Sequence, residues 1–146
     1  MVSVPDMQAR STCSRGQDTT VWYPSIEDVA YSNFIALSLG DDKHAHRLRR
    51  SRKSVQTVLD RVREAEGTGL TYQAAVLLKE IVRLHAFESG NHRTAFLVAC
   101  LFLMRNGRTM RIERFGEAYA FIRDVETKSI EQIQEWIERG SPKEPQ

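Results

Sequence analysis

Apolar residues recur along this chain at helical spacing, in blocks separated by glycine-bearing breaks. Pro24-Ser25-Ile26-Glu27-Asp28 reads as a helix start, with Ser25 as cap and Asp28 three residues on. Ile26, Val29, Ala30, Phe34 and Leu37 follow on one face, and Gly40 is a natural stop. Ser54 can cap a second helix with the stripe Val55, Val58, Leu59 and Val62, which Gly67-Thr68-Gly69 ends. Thr71 begins a third, whose core face is Ala74, Ala75, Leu77, Leu78, Ile81 and Val82. A break over 85–91 contains Gly90. Residues 92–106 then read as a helix that is apolar all round over 95–104, closed by Asn106-Gly107. Such a helix must be surrounded by others, so it is expected at the centre. Residues 109–112 suit a short extended piece. Phe115, Ala118, Tyr119 and Ile122 share a face of a further helix. Ser129 with Gln132 makes a capping box ahead of Ile130, Ile133, Trp136 and Ile137, and Gly140-Ser141-Pro142 closes the pattern. About six helices and almost no strand predict an all-α bundle around one buried helix, with at most a short extended flap.

Composition adds boundaries and exclusions. Residues 1–20 are short of large apolar side chains and rich in Ser, Thr, Asp and Arg, which predicts a poorly ordered tail. The folded domain is expected over 21–140, with a short tail over 141–146. At 146 residues and 41% apolar, the chain can close one core without a disulfide or metal staple. Its 21 basic and 19 acidic side chains leave a net +2, too little to announce a nucleic-acid or membrane partner. The apolar run at 95–104 is about half of what a membrane helix needs, and the first residues lack the apolar core of a secretory signal. Cys13 and Cys100 lie far apart with no metal-ligand spacing, which fits a reducing compartment. A cytoplasmic protein is the expectation. Residues 41–53 are locally basic, with Lys43, Arg47, Arg49, Arg50, Arg52, Lys53, His44 and His46. They read either as a solvated face or as a phosphate- or partner-contacting patch, and without aromatics they make no stacking platform for nucleic acid.

One segment carries reactive residue types between two strongly apolar helices: His85-Ala86-Phe87-Glu88-Ser89-Gly90-Asn91-His92-Arg93-Thr94-Ala95. It precedes a helix start, where unpaired backbone N–H groups and the positive dipole end favour an anion. Gly90 lets backbone approach a ligand closely. Asn91 can cap the helix or orient a ligand. Arg93, in the first helical turn, opposes the dipole, and a bound phosphate would compensate it. His85 ends the preceding helix, where it either meets helix-terminal carbonyls or accepts a proton from an incoming hydroxyl. His92 reads as first-turn surface or as a phosphate ligand. His85, Glu88 and His92 would form a metal site only if the helix ran through Ser89-Gly90-Asn91, which that sequence discourages. The chemistry is that of a phosphate cradle with a histidine base at its mouth.

The same stretch resembles the signature of the Fic/Doc family, His-x-Phe-x-Asp/Glu-Gly/Ala-Asn-x-Arg. The continuation Arg93-Thr94-Ala95, with Leu101-Phe102-Leu103-Met104-Arg105-Asn106-Gly107, is similar to the Doc, or death-on-curing, branch. A weaker likeness runs from about 24 to 137. The resemblance implies a compact helical domain that transfers part of a nucleotide, ATP, onto a hydroxyl of a target protein. It implies His85 as general base and Phe87 as the loop's anchor in the core. Nucleotide phosphates would be held by Ser89, Gly90, Asn91, His92 and Arg93. Fic members usually transfer adenylyl groups. Doc members bind the nucleotide reversed and phosphorylate a translation elongation factor. Adenylylating members usually carry a second arginine three residues after the first; here that position is Phe96, which points to phosphoryl transfer. The family's Mg²⁺-holding acid falls at Ser89, so metal binding would fall to the neighbouring Glu88, be weak, or mark a degenerate, non-catalytic member. The family's inhibitory-helix motif is matched only partly by Thr127-Lys128-Ser129-Ile130-Glu131-Gln132, so a toxin of this type implies a separate antitoxin.

Overall fold

The computed structural model describes residues 20–38, 48–108, 110 and 115–139, with side chains of the helix that starts at 115 described from 118 onward. The expected tails, the stop at Gly40, residues 41–47 of the basic segment and most of the 109–112 piece lie outside the described residues.

Helix α1, Ile26–Ser38, starts as its sequence predicts. The Ser25 backbone N–H donates to Asp28 Oδ2 at 2.8 Å, and the Asp28 N–H donates to Ser25 Oγ at 3.1 Å. This reciprocal pair satisfies donors that the helix cannot. The inner face differs from expectation. Val29, Asn33, Ala36 and Leu37 are buried, whereas Phe34 is exposed and stacks on Tyr31. The inward stripe at positions 29, 33, 36 and 37 therefore includes a polar residue.

Helix α2, Arg52–Glu64, buries Val55, Val58, Leu59 and Val62. Its cap is Ser51 rather than Ser54: Ser51 Oγ accepts the Ser54 N–H at 3.1 Å. Ser51 has the extended backbone a cap requires, and Ser54 supplies the orphan donor. Helix α3, Leu70–Leu84, begins one residue before Thr71, which is buried and donates to Glu138 Oε2 at 2.6 Å. Helix α4, Asn91–Arg105, follows the break. Helix α5, Phe115–Arg123, leads through a 3₁₀ turn, Val125–Thr127, to α6, Ile130–Arg139. Ser129 and Gln132 form the expected capping box, at 2.8 and 3.0 Å.

The described residues make an all-α bundle with one isolated antiparallel bridge, Leu48 to Phe87, and no strand. The centre is shared. Helix α3 is enclosed by α2, α4, α6 and the 3₁₀ turn, while α4 packs against α3, α1 and α5. Helix α4 is not covered all round: Phe102 and Leu103 are buried, Leu97, Cys100 and Leu101 are half-buried, and Met104 is 59% exposed. On α5, Ala118 and Ile122 face inward and Tyr119 is 53% exposed, so the face predicted for it is narrower. None of the described helices is long and apolar enough to cross a membrane.

Burial pushes the Cys100 thiol up to about 11. At pH 8 only about one such thiol in a thousand is thiolate, and only the thiolate is nucleophilic. Iodoacetamide is expected to leave Cys100 unlabelled in the folded protein at pH 8 and to label it in urea, read by peptide mass spectrometry.

Candidate functional site

The site forms where the apolar period of α3 stops. Its C-cap is His85, held in the left-handed region at φ 50°, with its N–H on Val82 O. A side chain seldom occupies that region, and the conformation costs on the order of 1–3 kcal/mol. It turns the chain out of the helix and leaves the His85 side chain exposed. Ala86 and Phe87 drop straight back into the core, Phe87 being 2% exposed.

The tail of the basic segment is tied to this point, a link not visible in the sequence. Leu48 bridges Phe87, and the N–H groups of Arg49 and Arg50 both donate to Ala86 O, at 2.6 and 3.3 Å. Arg50 Nε also donates to Leu84 O at 3.1 Å. A guanidinium on the last carbonyls of α3 complements the negative end of that helix.

Asn91 turns inward. Its Oδ1 accepts the Phe87 N–H and its Nδ2 donates to Phe87 O, both at 2.9 Å. The amide does not cap α4, one of its two expected roles: it closes the five-residue loop as a backbone partner would. The Asn91 main chain still opens α4.

Gly90 is the N-cap of α4, at φ 76° and ψ 20°, with no side-chain cap bond. A Cβ at Gly90 would lie 2.9 Å from Leu37 Cδ2 and 3.4 Å from Asn33 Nδ2. Both the backbone angle and the close approach to α1 require glycine. Gly90→Ala is expected to cost about 1–3 kcal/mol of unfolding free energy, measurable by urea denaturation.

The first helical N–H bond of α4 runs from Thr94 to Gly90 O, at 2.9 Å. The N–H groups of Asn91, His92 and Arg93 precede it and have no acceptor within the helix. Three donors and a positive dipole end therefore converge beside the loop. Arg93 lies at the same place. Its Nη1 donates to Ala36 O near the end of α1, at 3.2 Å. That carbonyl supplies part of the compensation which the sequence left to a phosphate. The other guanidinium N–H groups have no acceptor among the described residues.

The His85 and His92 rings stand edge to face, with centroids 6.5 Å apart. The imidazole at the end of α3 is thus brought against the first turn of α4. Glu88 is exposed and makes no ion pair with Arg93 among the described residues. Ser89 is half-buried, and its carbonyl accepts from Asn33 Nδ2 at 2.9 Å. Asn33 carried no signal in the sequence because it stands alone and polar in an apolar stripe. No group of three His, Cys, Asp or Glu side chains that could hold a metal occurs among the described residues. Beside the helix start, His92, Arg93, Phe96, Ala118, Tyr119 and Ile122 line a small apolar depression between α4 and α5.

The chain is thus a helical domain in which a glycine backed by a neighbouring helix opens α4, with three N–H groups left over from that helix and a histidine beside them, a chemistry suited to an anion. The sequence model of the Fic/DOC family matches residues 25–103, from the cap of α1 almost to the end of α4, and the chain belongs to that family. Its members are usually nucleotide-dependent, protein-modifying transferases. No curated protein sequence matches the chain.

Proposed function

We propose that this chain is a Doc-like, toxin-type kinase that moves the terminal phosphoryl group of ATP onto a Ser or Thr hydroxyl of a target protein. The observation that carries the choice of group is Phe96. It stands one turn after Arg93 and lines the apolar depression, where an adenylylating member would carry a second arginine. One guanidinium, three backbone donors and an imidazole suit a single phosphoryl group better than a fully clamped triphosphate chain.

In this reading the γ-phosphoryl group sits at the start of α4, against the N–H groups of 91–93 and Arg93. The target hydroxyl oxygen attacks the γ-phosphorus. The new O–P bond forms as the bond to the β,γ-bridging oxygen breaks, and ADP leaves. The hydroxyl proton passes to His85. The chain contributes mainly position and preorganised donors, which suits a transition state whose charge is spread over phosphoryl oxygens.

Mg²⁺ belongs to the family expectation. The residues here do not fit a protein-held ion: position 89 is serine, Glu88 is exposed, and no acidic cluster accompanies them among the described residues. No step above depends on it. The partners that go with this reading are a translation-factor-like target and a separate antitoxin.

One observation favours a second reading, protein adenylylation. The depression beside His92 and Arg93 is apolar and carries the exposed Tyr119 ring, a surface on which the base of a nucleotide held at α4 would stack. ATP labelled at either phosphate separates the two. With a lysate as target, protein labelling from γ-labelled ATP alone is the expected result. Labelling from α-labelled ATP alone is the adenylylation result. No labelling from either leaves a non-catalytic member that binds a nucleotide or partner.

A further inference from the structure

We propose that Asn33, on α1, is a positioning residue for the phosphate cradle. The inference rests on the phosphate-site reading and adds to it a group 56 positions away in sequence from the loop it controls.

Asn33 is completely buried. Its side-chain N–H₂ has two hydrogens, and both are spent on the cradle. One goes to Ser89 O at 2.9 Å and the other to Thr94 Oγ1 at 3.0 Å. The Thr94 hydroxyl in turn donates to Gly90 O at 2.7 Å. A single amide thus holds the carbonyl before Gly90 directly and the carbonyl of Gly90 through one hydroxyl. Fixing these two carbonyls fixes the peptide planes of Gly90 and Asn91, and with them the direction of the first donor of α4. The space that a Cβ on Gly90 would need is taken by Leu37 and Asn33 of α1. Helix α1 therefore serves as the rigid back wall of the loop, and Arg93, anchored on Ala36 O, is set by the same wall.

A polar side chain with no solvent exposure persists at a cost unless its hydrogens are satisfied, and both find acceptors on the cradle, Ser89 O in the loop and Thr94 Oγ1 in the first turn of α4. Donor direction matters because an oxyanion cradle works by being preorganised.

Asn33→Ser keeps a small polar side chain but loses the reach. In the ligand-free chain, amide exchange at Phe87 and Thr94 is expected to rise about tenfold relative to Leu78, in the middle of α3. Pyrophosphate affinity, measured by calorimetry, is expected to fall about tenfold. Unchanged exchange overturns the clamp. Faster exchange with pyrophosphate affinity within about twofold of the parent chain overturns the positioning role. If the parent chain binds no pyrophosphate, the phosphate reading fails and Asn33's role in it fails too, while the exchange result still decides whether the clamp exists.

Asn33→Asp is the second variant, for the case in which serine unfolds the chain. Its carboxylate has no hydrogen for Ser89 O, but its protonated form has one. Pyrophosphate affinity relative to the parent chain at the same pH is expected to recover between about pH 8 and pH 5.5. Taking the ratio at each pH removes the ionisation of pyrophosphate itself, which is common to both chains. A flat ratio overturns the proposal.

Discussion

Replacing His85 with alanine is expected to slow transfer to the target by about 10²–10⁴-fold while ATP affinity stays within about twofold. In the proposed function the phosphate donors belong to α4 and the base to the end of α3, so the two functions would be separable. The left-handed backbone at His85 gives alanine a strain of its own. Asparagine tolerates that region better and offers no base, so His85→Asn is the companion variant. Both should give the same loss, followed by initial rates with γ-labelled ATP and by calorimetry. A variant that keeps full activity contradicts the role given to His85.

The second large effect belongs to Arg93. Arg93→Ala is expected to weaken pyrophosphate binding and to lower transfer by about 10²–10³-fold, the loss typical of one preorganised donor to a developing charge. It also frees Ala36 O at the end of α1, so the melting temperature should drop by a few degrees. Arg93→Lys should rescue little. One guanidinium can hold the Ala36 carbonyl and a phosphate oxygen together, whereas a lysine ammonium is a point donor on a flexible stem. Measuring unfolding and pyrophosphate affinity on the same samples separates the two contributions.

Much of the fold is legible in the sequence. The helix starts at Ser25 and Ser129 follow from local chemistry, since a cap and its partner lie three residues apart. The break after α3 follows from Gly90 and from polar residues interrupting two apolar periods. The second cap is not decidable from residue type, because Ser51 and Ser54 are both serines at the same helix start and only the backbone at Ser51 distinguishes them. Phe34 and Tyr119 are exposed against their pattern, since a hydrophobic period assumes that every large apolar side chain finds cover.

The site was legible in type but not in arrangement. The sequence named His85, Gly90 and Arg93, whose spacing is local. It could not assign the Asn91 amide to Phe87, since a cap and a loop clasp use the same residue type. It gave no sign of Asn33 or of the Ala36 carbonyl, because both act across the interface between α1 and α4. It also left the basic segment without a place. The structure ties the end of that segment, 48–50, to the backbone at Ala86 and Phe87.

The proposed function stands on phosphate binding at the start of α4. Titrating the ¹⁵N-labelled chain with pyrophosphate and following backbone amide shifts tests it without a target protein or turnover. The account predicts that the largest shifts fall on Asn91, His92 and Arg93, and that Arg93→Ala removes them. Saturable shifts centred on Arg49, Arg50 and Arg52 instead, or no saturable shift at all, would contradict it.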